Sequence, residues 1–287
     1  MHLTNESTIK ELMRRHGLRF SKTMGQNFIV NPSVCPRMAE LGGASKEVGV
    51  LEIGPGIGVL TRELAQRAGK VVALELDRGL IPLLGETLAD FDNVRVLSGD
   101  AMKMNLPALL QEHFAGMRVV VCANLPYYIT SPMLMKLLED RLAVDSITVM
   151  VQKEAAARIC APFPSRQAGA ITAAVNYYSD PAVLFPVSRG SFLPAPNVDS
   201  AVIRLNVRPP KIAVIDEKLL FAVIRGSFAQ RRKTILNSIS AALGLEKSLL
   251  RSALLAAGVA ESSRAEQLSL EQFACISGAL RLLLPGS

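Results

Sequence analysis

Leu51-Glu52-Ile53-Gly54-Pro55-Gly56-Ile57-Gly58 joins an apolar segment directly to a glycine-rich turn. Glycine lacks a Cβ, so these three glycines let the backbone turn tightly and approach a ligand closely. The spacing is G-x-G-x-G rather than the G-x-G-x-x-G that usually cradles a pyrophosphate. The turn therefore favours a nucleoside cofactor without phosphates, of which S-adenosylmethionine is the common one. A plain strand-to-helix turn is the alternative interpretation.

Short β-branched runs recur around this turn, separated by segments with helical spacing. Strands that alternate with helices predict βαβ units and a doubly wound, mostly parallel sheet. Ligands of such sheets bind beyond the carboxyl ends of the strands. The runs are Gly49–Ile53, Lys70–Leu74, Asn93–Leu97, Arg118–Ala123 and Ser146–Val151.

The pattern changes in the last third of the chain. Ala182–Phe185 and Ala201–Val207 are predicted to extend the sheet as antiparallel edge strands. Arg208-Pro209-Pro210-Lys211 then breaks the pattern and is typical of a linker. Helical periodicity follows. We predict an α/β fold with a Rossmann-like sheet domain over residues 1–207 and a small all-helical domain over residues 212–287.

Two carboxylates are predicted at the next strand ends. Glu75 lies 21 residues after Gly54 and can accept hydrogen bonds from both ribose hydroxyls of a cofactor. Asp77 competes for this role but is placed better as a helix N-cap. Asp100, after the third strand, can accept from the adenine amine of the cofactor, with helix capping as its alternative. Gly, Glu and Asp in this order are typical of a class I methyltransferase.

The stretch Asn124-Leu125-Pro126-Tyr127 ends the fourth run and carries the chemistry. The lone pair of an exocyclic base amine is shared with the ring, so the amine is a poor nucleophile. The Asn124 oxygen and the Leu125 carbonyl can accept its N–H bonds and free that lone pair, while Pro126 fixes the turn. Tyr127 can stack on the extruded base. A proline-terminated strand with a buried tyrosine is the alternative.

The charge of the chain favours a polyanionic partner. The net charge is +7, of which residues 1–30 contribute +3, residues 31–204 contribute −1 and residues 205–287 contribute +5. A basic balance alone does not choose between RNA, DNA and a membrane surface. The positive ends are either two solvated surfaces or a clamp on a phosphate backbone.

The cysteines and the hydropathy pattern exclude several classes of protein. The four cysteines show no C-x-x-C spacing, so we expect reduced, mostly buried thiols and no metal site. No Pro-Cys dipeptide is present, which argues against cytosine C5 methylation. No signal peptide and no run of membrane-spanning length is found. We therefore expect a cytoplasmic monomer without a membrane partner.

Taken together, these motifs resemble the bacterial small-subunit (16S) ribosomal RNA adenine N6-dimethyltransferase family over nearly the whole chain. Gly25-Gln26-Asn27-Phe28 resembles the G-Q-N-F motif of that family, which closes over the cofactor. The resemblance implies that Asn27 and Ile29 line the pocket beside Gly54, Gly56, Glu75, Asp100 and Asn124.

Two later motifs also carry the resemblance. Phe192-Leu193-Pro194-Ala195-Pro196-Asn197-Val198-Asp199-Ser200 matches F-x-P-x-P-x-V-x-S, which implies that Phe192 faces Tyr127 across the target adenine; a core phenylalanine is the alternative. Gln230-Arg231-Arg232-Lys233-Thr234 resembles the Q-R-R-K-T signature, and three adjacent cations suit RNA phosphates. A solvated helix start is the alternative there.

The resemblance implies four methyl transfers from S-adenosylmethionine to two adjacent adenines near the 3′ end of 16S rRNA, within a late assembly intermediate. Two other classes stay open at this point. The protein can instead be a ribosome-assembly checkpoint whose catalysis is incidental. The G-x-G turn taken alone also permits a nicotinamide-dependent oxidoreductase, which the Asn124–Tyr127 cluster opposes.

Overall fold

The computed structural model describes residues 2–19 and 25–284 of the chain. Within these residues the strands are Phe28–Ile29 (β1), Val48–Ile53 (β2), Lys70–Glu75 (β3), Val94–Ser98 (β4), Arg118–Asn124 (β5), Ser146–Gln152 (β6), Ser179–Val187 (β7), Phe192–Leu193 (β8) and Ser200–Val207 (β9). The α-helices are Glu6–Arg15 (α1), Val34–Leu41 (α2), Val59–Arg67 (α3), Leu80–Thr87 (α4), Leu106–Phe114 (α5), Thr130–Glu139 (α6), Lys153–Ile159 (α7), Ala170–Tyr178 (α8), Glu217–Phe228 (α9), Ile235–Leu243 (α10), Lys247–Ala256 (α11) and Leu270–Leu283 (α12).

Seven of the strands form one mixed sheet in the order β4-β3-β2-β5-β6-β9-β7. The first five pair in parallel, and β9 pairs antiparallel with β6. The predicted fold class is therefore confirmed, with β7 rather than β9 at the edge. Every position of β2 is buried, as expected for a central strand covered on both faces.

The strand order places the ligand site. The chain runs from β2 outward to β3 and β4, then returns to β5 on the other side of β2. This reversal is the topological switch point at which doubly wound sheets bind ligands, beyond the carboxyl ends of the strands. Gly54 follows β2 and Asn124 ends β5, so the two sequence motifs meet at this point.

A second, two-stranded sheet was not predicted from the sequence. Strands β1 and β8 pair antiparallel, with Phe28 opposite Leu193 and Ile29 opposite Phe192. The next backbone N–H, that of Val30, donates to the carbonyl oxygen of Ser191 at 2.8 Å. The ladder ties the Asn27 segment to the segment that begins at Phe192.

The boundary between the two parts of the chain differs from the predicted one. The compact units are residues 1–156 with 181–207, and residues 157–180 with 208–287. Residues 157–180, predicted within the first domain, thus belong to the helical unit. The Tyr178 ring stacks on Phe221 with centroids 5.4 Å apart, and the Tyr177 and Tyr178 hydroxyls donate to the Glu217 carboxylate at 2.9 and 3.2 Å.

The predicted linker, residues 208–211, lies between β9 and α9 without helix or strand, and Arg208 has a structural role in addition. Its guanidinium donates to the carbonyl oxygens of Asn176, Tyr177 and Ser179 at 2.9 to 3.1 Å. The last carbonyls of a helix lack partners within that helix, so a cation there satisfies them. Arg208 therefore closes the end of α8. Across the described residues, no helix has both the length and the apolar character to cross a membrane.

Candidate active site

The glycine turn after β2 forms an open cradle. Gly54, Gly56 and Gly58 have φ angles of +73°, +60° and +91°, a region that side chains other than glycine rarely adopt. A Cβ at Gly54 would meet no atom within 4 Å, so this backbone faces open space. A Cβ at Gly56 would lie 3.2 Å from the Phe28 ring. A bound group can therefore approach the backbone at Gly54, while Phe28 packs behind the turn.

A cleft of about 1090 Å³, measured out to its open mouth, surrounds this cradle. Its walls come from the ends of β2, β3 and β5, the segment after β4, and residues 25–29. Ten predicted site residues line it: Asn27, Ile29, Gly54, Gly56, Glu75, Asp100, Asn124, Leu125, Pro126 and Tyr127.

Glu75 is the buried acid of the cleft, with 6% of its surface exposed. Its Oε2 accepts from the N–H of Gly56 at 3.2 Å, and its Oε1 accepts from the N–H of Asp77 at 2.8 Å. Burial raises the pKa of the Glu75 carboxyl, and these two hydrogen bonds act against that rise. Each oxygen keeps a further lone pair, so the group can accept from a ligand hydroxyl as well.

Helix capping was an alternative role for both Asp77 and Asp100, and their hydrogen bonds bear on it. Helix α4 begins after Gly79, and Asp77 Oδ1 accepts from the Gly79 N–H at 3.0 Å, one position before the helix. Asp77 therefore closes the preceding turn rather than serving as the N-cap. Asp100 Oδ1 accepts from the Met102 N–H at 2.9 Å, so it supports a local turn and lines the cleft at the same time.

Residues 25–29 cover one side of the cleft. The Gln26 amide donates to Asp77 Oδ2 at 3.1 Å, and the Asn124 Nδ2 donates to the Asn27 carbonyl oxygen at 3.4 Å. A Cβ at Gly25 would lie 3.5 Å from the Tyr128 ring. The amide nitrogen of Asn124 is thus engaged by the covering segment, which leaves Oδ1 as the acceptor on the other side of the planar amide.

Tyr127 follows Pro126 in a single 3-10 turn, Tyr127–Ile129. Its phenol oxygen lies 2.7 Å from the Ser200 hydroxyl oxygen. Burial raises the pKa of the Tyr127 phenol, so the ring stays neutral at physiological pH. The next residue, Tyr128, lines the cleft with 60% of its surface exposed.

Phe192 does not line the cleft with the other predicted residues. Its side chain is 4% exposed and belongs to a buried apolar cluster with Ile29, Cys35 and Met38. A role as second wall for a target base requires the ring to leave this core. That role stays a prediction, and the observed burial favours the alternative of a core phenylalanine.

The basic stretch of the helical unit lies in a turn, not in a helix. Arg231, Arg232 and Lys233 are exposed between α9 and α10, and α10 begins at Ile235 with Thr234 as its N-cap. The Arg231 Nη2 donates to the carbonyl oxygen of Arg166 at 2.8 Å. Of the residues in the described ranges, none forms an ion pair with these three cations.

Several features of the site had no signal strong enough to find from the sequence. The Gln26–Asp77 bond spans 51 positions and the Tyr127–Ser200 bond spans 73.

Cys35 and Cys122 are buried as expected, Cys160 is partly buried, and Cys275 is exposed. Among the described residues, no group of three His, Cys, Asp or Glu side chains is placed to hold a metal ion.

The switch-point sheet, the glycine cradle after β2 and the acid at the end of β3 define a class I methyltransferase dependent on S-adenosylmethionine. The open backbone at Gly54 and the buried Glu75 carboxylate fit that cofactor. Residues 17–281 match the family described as ribosomal RNA adenine dimethylase. The chain belongs to that family, which makes it an S-adenosylmethionine-dependent rRNA adenine dimethyltransferase. The oxidoreductase alternative is wrong.

Curated relatives agree over almost the full length. Proteins from Geobacillus thermodenitrificans and Bacillus cytotoxicus, both called ribosomal RNA small subunit methyltransferase A, are 47% and 45% identical to the chain. Each match covers 94% of the chain and 94% of the relative.

Solved structures show the same fold. The 23S rRNA methyltransferase ErmE matches with a TM-score of 0.64 and 26% identity, over 89% of this chain and all of that one. A dimethyladenosine transferase from Plasmodium falciparum matches with a TM-score of 0.67 and 24% identity, over 87% of this chain and 95% of that one. At that identity the second likeness supports the fold alone.

Proposed function

We propose that the enzyme dimethylates the N6 amines of two adjacent adenines near the 3′ end of 16S rRNA, in a late assembly intermediate of the small ribosomal subunit. The observation that carries this proposal is the match to small-subunit methyltransferases at 45–47% identity over 94% of both chains. Asn124, Leu125 and Tyr127 line the cleft, and this placement supports an exocyclic base amine as the group that receives the methyl.

The cofactor residues are proposed from their places in the cleft. When bound, S-adenosylmethionine supplies a methyl group activated by its sulfonium. Glu75 would hold the ribose hydroxyls, and Asp100 would accept from the adenine amine of the cofactor. Gly54 and Gly56 would let the backbone approach it. Asn27 and Ile29 would cover it, and the β1–β8 ladder that holds Ile29 in place supports this.

The chemical step then depends on how the target amine is held. Asn124 Oδ1 and the Leu125 carbonyl accept its two N–H bonds, which withdraws the lone pair from the ring and turns it toward the methyl group. Pro126 fixes the turn that presents both acceptors. Tyr127 stacks on the target adenine, and such stacking is worth about 1–3 kcal/mol per base. Proximity and alignment would supply the rest of the rate. The nitrogen that gains the methyl group would be cationic and would lose one proton to solvent, so no strong general base is required.

The helical unit is proposed to bind rRNA through its exposed cations. We assign this role to residues 212–287 and, from their packing, to residues 157–180 and Arg208. Arg231, Arg232 and Lys233 would contact phosphates, as exposed cations without a carboxylate partner do. We further propose that the enzyme acts in the cytoplasm, where the ribosomal subunits that it would modify are assembled, and that it acts as a monomer.

Mass spectrometry of rRNA tests the substrate directly. Unmodified small subunits are incubated with the protein and labelled S-adenosylmethionine, and the rRNA is then digested and mapped. We expect two adjacent N6,N6-dimethyladenosines near the 3′ end of 16S rRNA. Label on large-subunit rRNA, or at an unrelated adenine, contradicts the proposal. Free 16S rRNA serves as the comparison that shows whether an assembled particle is required.

A further inference from the structure

The segment Phe192–Ser200 touches the active site at its last residue. Ser200 Oγ lies 2.7 Å from the Tyr127 phenol oxygen, a normal length for a strong O–H···O hydrogen bond. Ser200 is fully buried, at 0% exposure, and does not line the cleft. It therefore stands directly behind a residue proposed to contact the target base.

The backbone on both sides of this serine is fixed. Ser200 is the first residue of β9 and pairs with Gln152 of β6. The preceding residue, Asp199, accepts from the Lys153 N–H through its carbonyl oxygen and from the Arg189 N–H through Oδ1, both at 2.9 Å. A hydroxyl on a side chain with one rotatable bond, carried by such a frame, has little freedom to move.

Tyr127, by contrast, has few constraints of its own. It lies in a 3-10 turn of three residues, and its side chain is only partly buried. A ring in this setting can rotate about its side-chain torsions, and each rotation changes the plane on which a base would stack. Phe192 is buried in the core and does not line the cleft beside Tyr127. The hydrogen bond between the Tyr127 hydroxyl and Ser200 fixes the far end of the ring.

Two other buried serines satisfy their hydroxyls within their own helix segments. Ser179 donates to the carbonyl oxygen of Val175 at 2.7 Å, and Ser227 donates to that of Val223 at 2.6 Å, in both cases four residues earlier. This is the usual bond of a serine at the end of a helical turn. Ser200 instead bonds a site residue that is 73 positions away in the sequence.

We propose that Ser200 is a positioning residue that holds the Tyr127 ring in the plane required for stacking on the target adenine. The inference rests on the proposed role of Tyr127 in the methyl transfer. It assigns a mechanistic reason to the serine of the F-x-P-x-P-x-V-x-S stretch that is separate from any role of Phe192.

The test compares Ser200→Ala with Ser146→Ala on unmodified small subunits. Ser146 begins β6, is 0% exposed, and its hydroxyl is buried without a hydrogen-bond partner among the described residues, so its removal changes the same sheet without touching the site. We expect the single-turnover methylation rate of Ser200→Ala to fall about tenfold, because small misplacements of reacting groups have effects of this size or larger. The Kd for S-adenosylmethionine should match that of Ser146→Ala, and both variants should keep a Tm within a few degrees of wild type.

A double-mutant cycle with Tyr127→Phe isolates the hydrogen bond. Tyr127→Phe keeps the ring and removes the same bond, so the double variant should be no slower than either single variant. Equal rates for Ser200→Ala and Ser146→Ala overturn the proposal, as does a Ser200→Ala variant whose Tm and cofactor affinity fall together with its rate. If wild-type protein leaves the adenines unmodified, the proposed function is overturned as well. If Tyr127→Ala is inactive while Ser200→Ala is fully active, only the positioning role of Ser200 is overturned.

Discussion

The cofactor cleft and the basic turn at Arg231–Lys233, which we propose to bind RNA, present opposite kinds of surface. The cleft presents backbone groups and carboxylates in a buried setting, with Glu75 at 6% exposure. The turn presents three exposed cations that no described carboxylate neutralises. The unit that contains the cleft holds nineteen Lys and Arg against eighteen Asp and Glu, while the helical unit holds thirteen against seven.

We therefore expect the cleft to recognise the shape of its ligand and the basic turn to attract RNA by charge. Within the cleft, each group has a defined direction, so single substitutions should have large effects on catalysis or cofactor affinity. On the turn, the cations act through a field that water and salt screen, so single substitutions should have small and additive effects. The helical unit carries a net charge of +6 and the other unit +1, so we expect the proposed attraction for RNA chiefly from the unit that lacks the cleft.

Among the cleft residues, the largest effect is expected for Asn124→Ala. It removes the proposed acceptor of the target amine, and we expect a loss of about a thousandfold in methylation, at the upper end for removal of one polar catalytic group. Circular dichroism and the Tm should stay close to wild type. Asn206→Ala, on an exposed position of β9, is the matched control. Full activity in Asn124→Ala would refute the site assignment.

The next effect is on cofactor affinity. Glu75→Gln keeps the shape of the side chain but replaces an acceptor oxygen and the charge, so the Kd for S-adenosylmethionine should rise about a hundredfold, as for loss of hydrogen bonds to a charged group. Isothermal titration calorimetry measures it. Glu112→Gln, with a side chain that is 72% exposed, is the control. An unchanged Kd would mean that the ribose is held elsewhere.

The same variant also tests whether catalysis or binding carries the biological role. A strain that carries Glu75→Gln should accumulate unmethylated small subunits and show the assembly defect of a deletion strain. Sucrose-gradient profiles of its ribosomes provide the measurement. Normal assembly without methylation would instead support the checkpoint alternative, in which docking through the helical unit is sufficient.

The role of charge at the basic turn is tested by changing Arg231, Arg232 and Lys233 together to Ala. Subunit affinity should fall about tenfold at physiological salt, and the slope of log K against log salt should become smaller by about two to three, near one unit for each phosphate that is no longer neutralised. Changing Lys211, Lys218 and Lys247 to Ala removes the same charge from the same unit and is the control. Equal slopes for both triple variants would show that only net charge matters.

The sequence was most informative where burial or backbone conformation requires one type of residue. The apolar runs predicted the strand ends of the sheet to within three residues, and the glycines marked the cradle because positive φ angles require them. The pairing of β1 with β8 escaped prediction, since two residues carry no periodicity. The linker at Arg208 was predicted, but the hydrogen bonds from its guanidinium to the carbonyl oxygens of α8 and Ser179 were not, because they depend on where α8 ends. The Ser200 hydroxyl gave no signal, since its partner is defined by distance in space alone.

The smallest expected effect concerns the buried carboxyl of Glu52, beneath the cradle. Its side chain is 1% exposed, and its Oε2 has no hydrogen-bond partner among the described residues. Burial raises the pKa of Glu52 from 4.5 to about 8. The folded state therefore holds a proton that the unfolded state releases between these values, so stability falls as the pH rises through this window and levels off above pH 8.

Glu52→Gln should remove this dependence, because the amide mimics the protonated acid and does not titrate. Between pH 7 and pH 8, the wild-type free energy of unfolding should drop by about 1 kcal/mol more than that of the variant. Urea unfolding at a series of pH values measures the difference, with Glu112→Gln as the control for an exposed carboxylate. Parallel curves for Glu52→Gln and wild type would show that Glu52 is ionised in the folded protein. The floor of the cleft would then carry a negative charge, and the contrast with the basic turn would be stronger than the burial of Glu52 indicates.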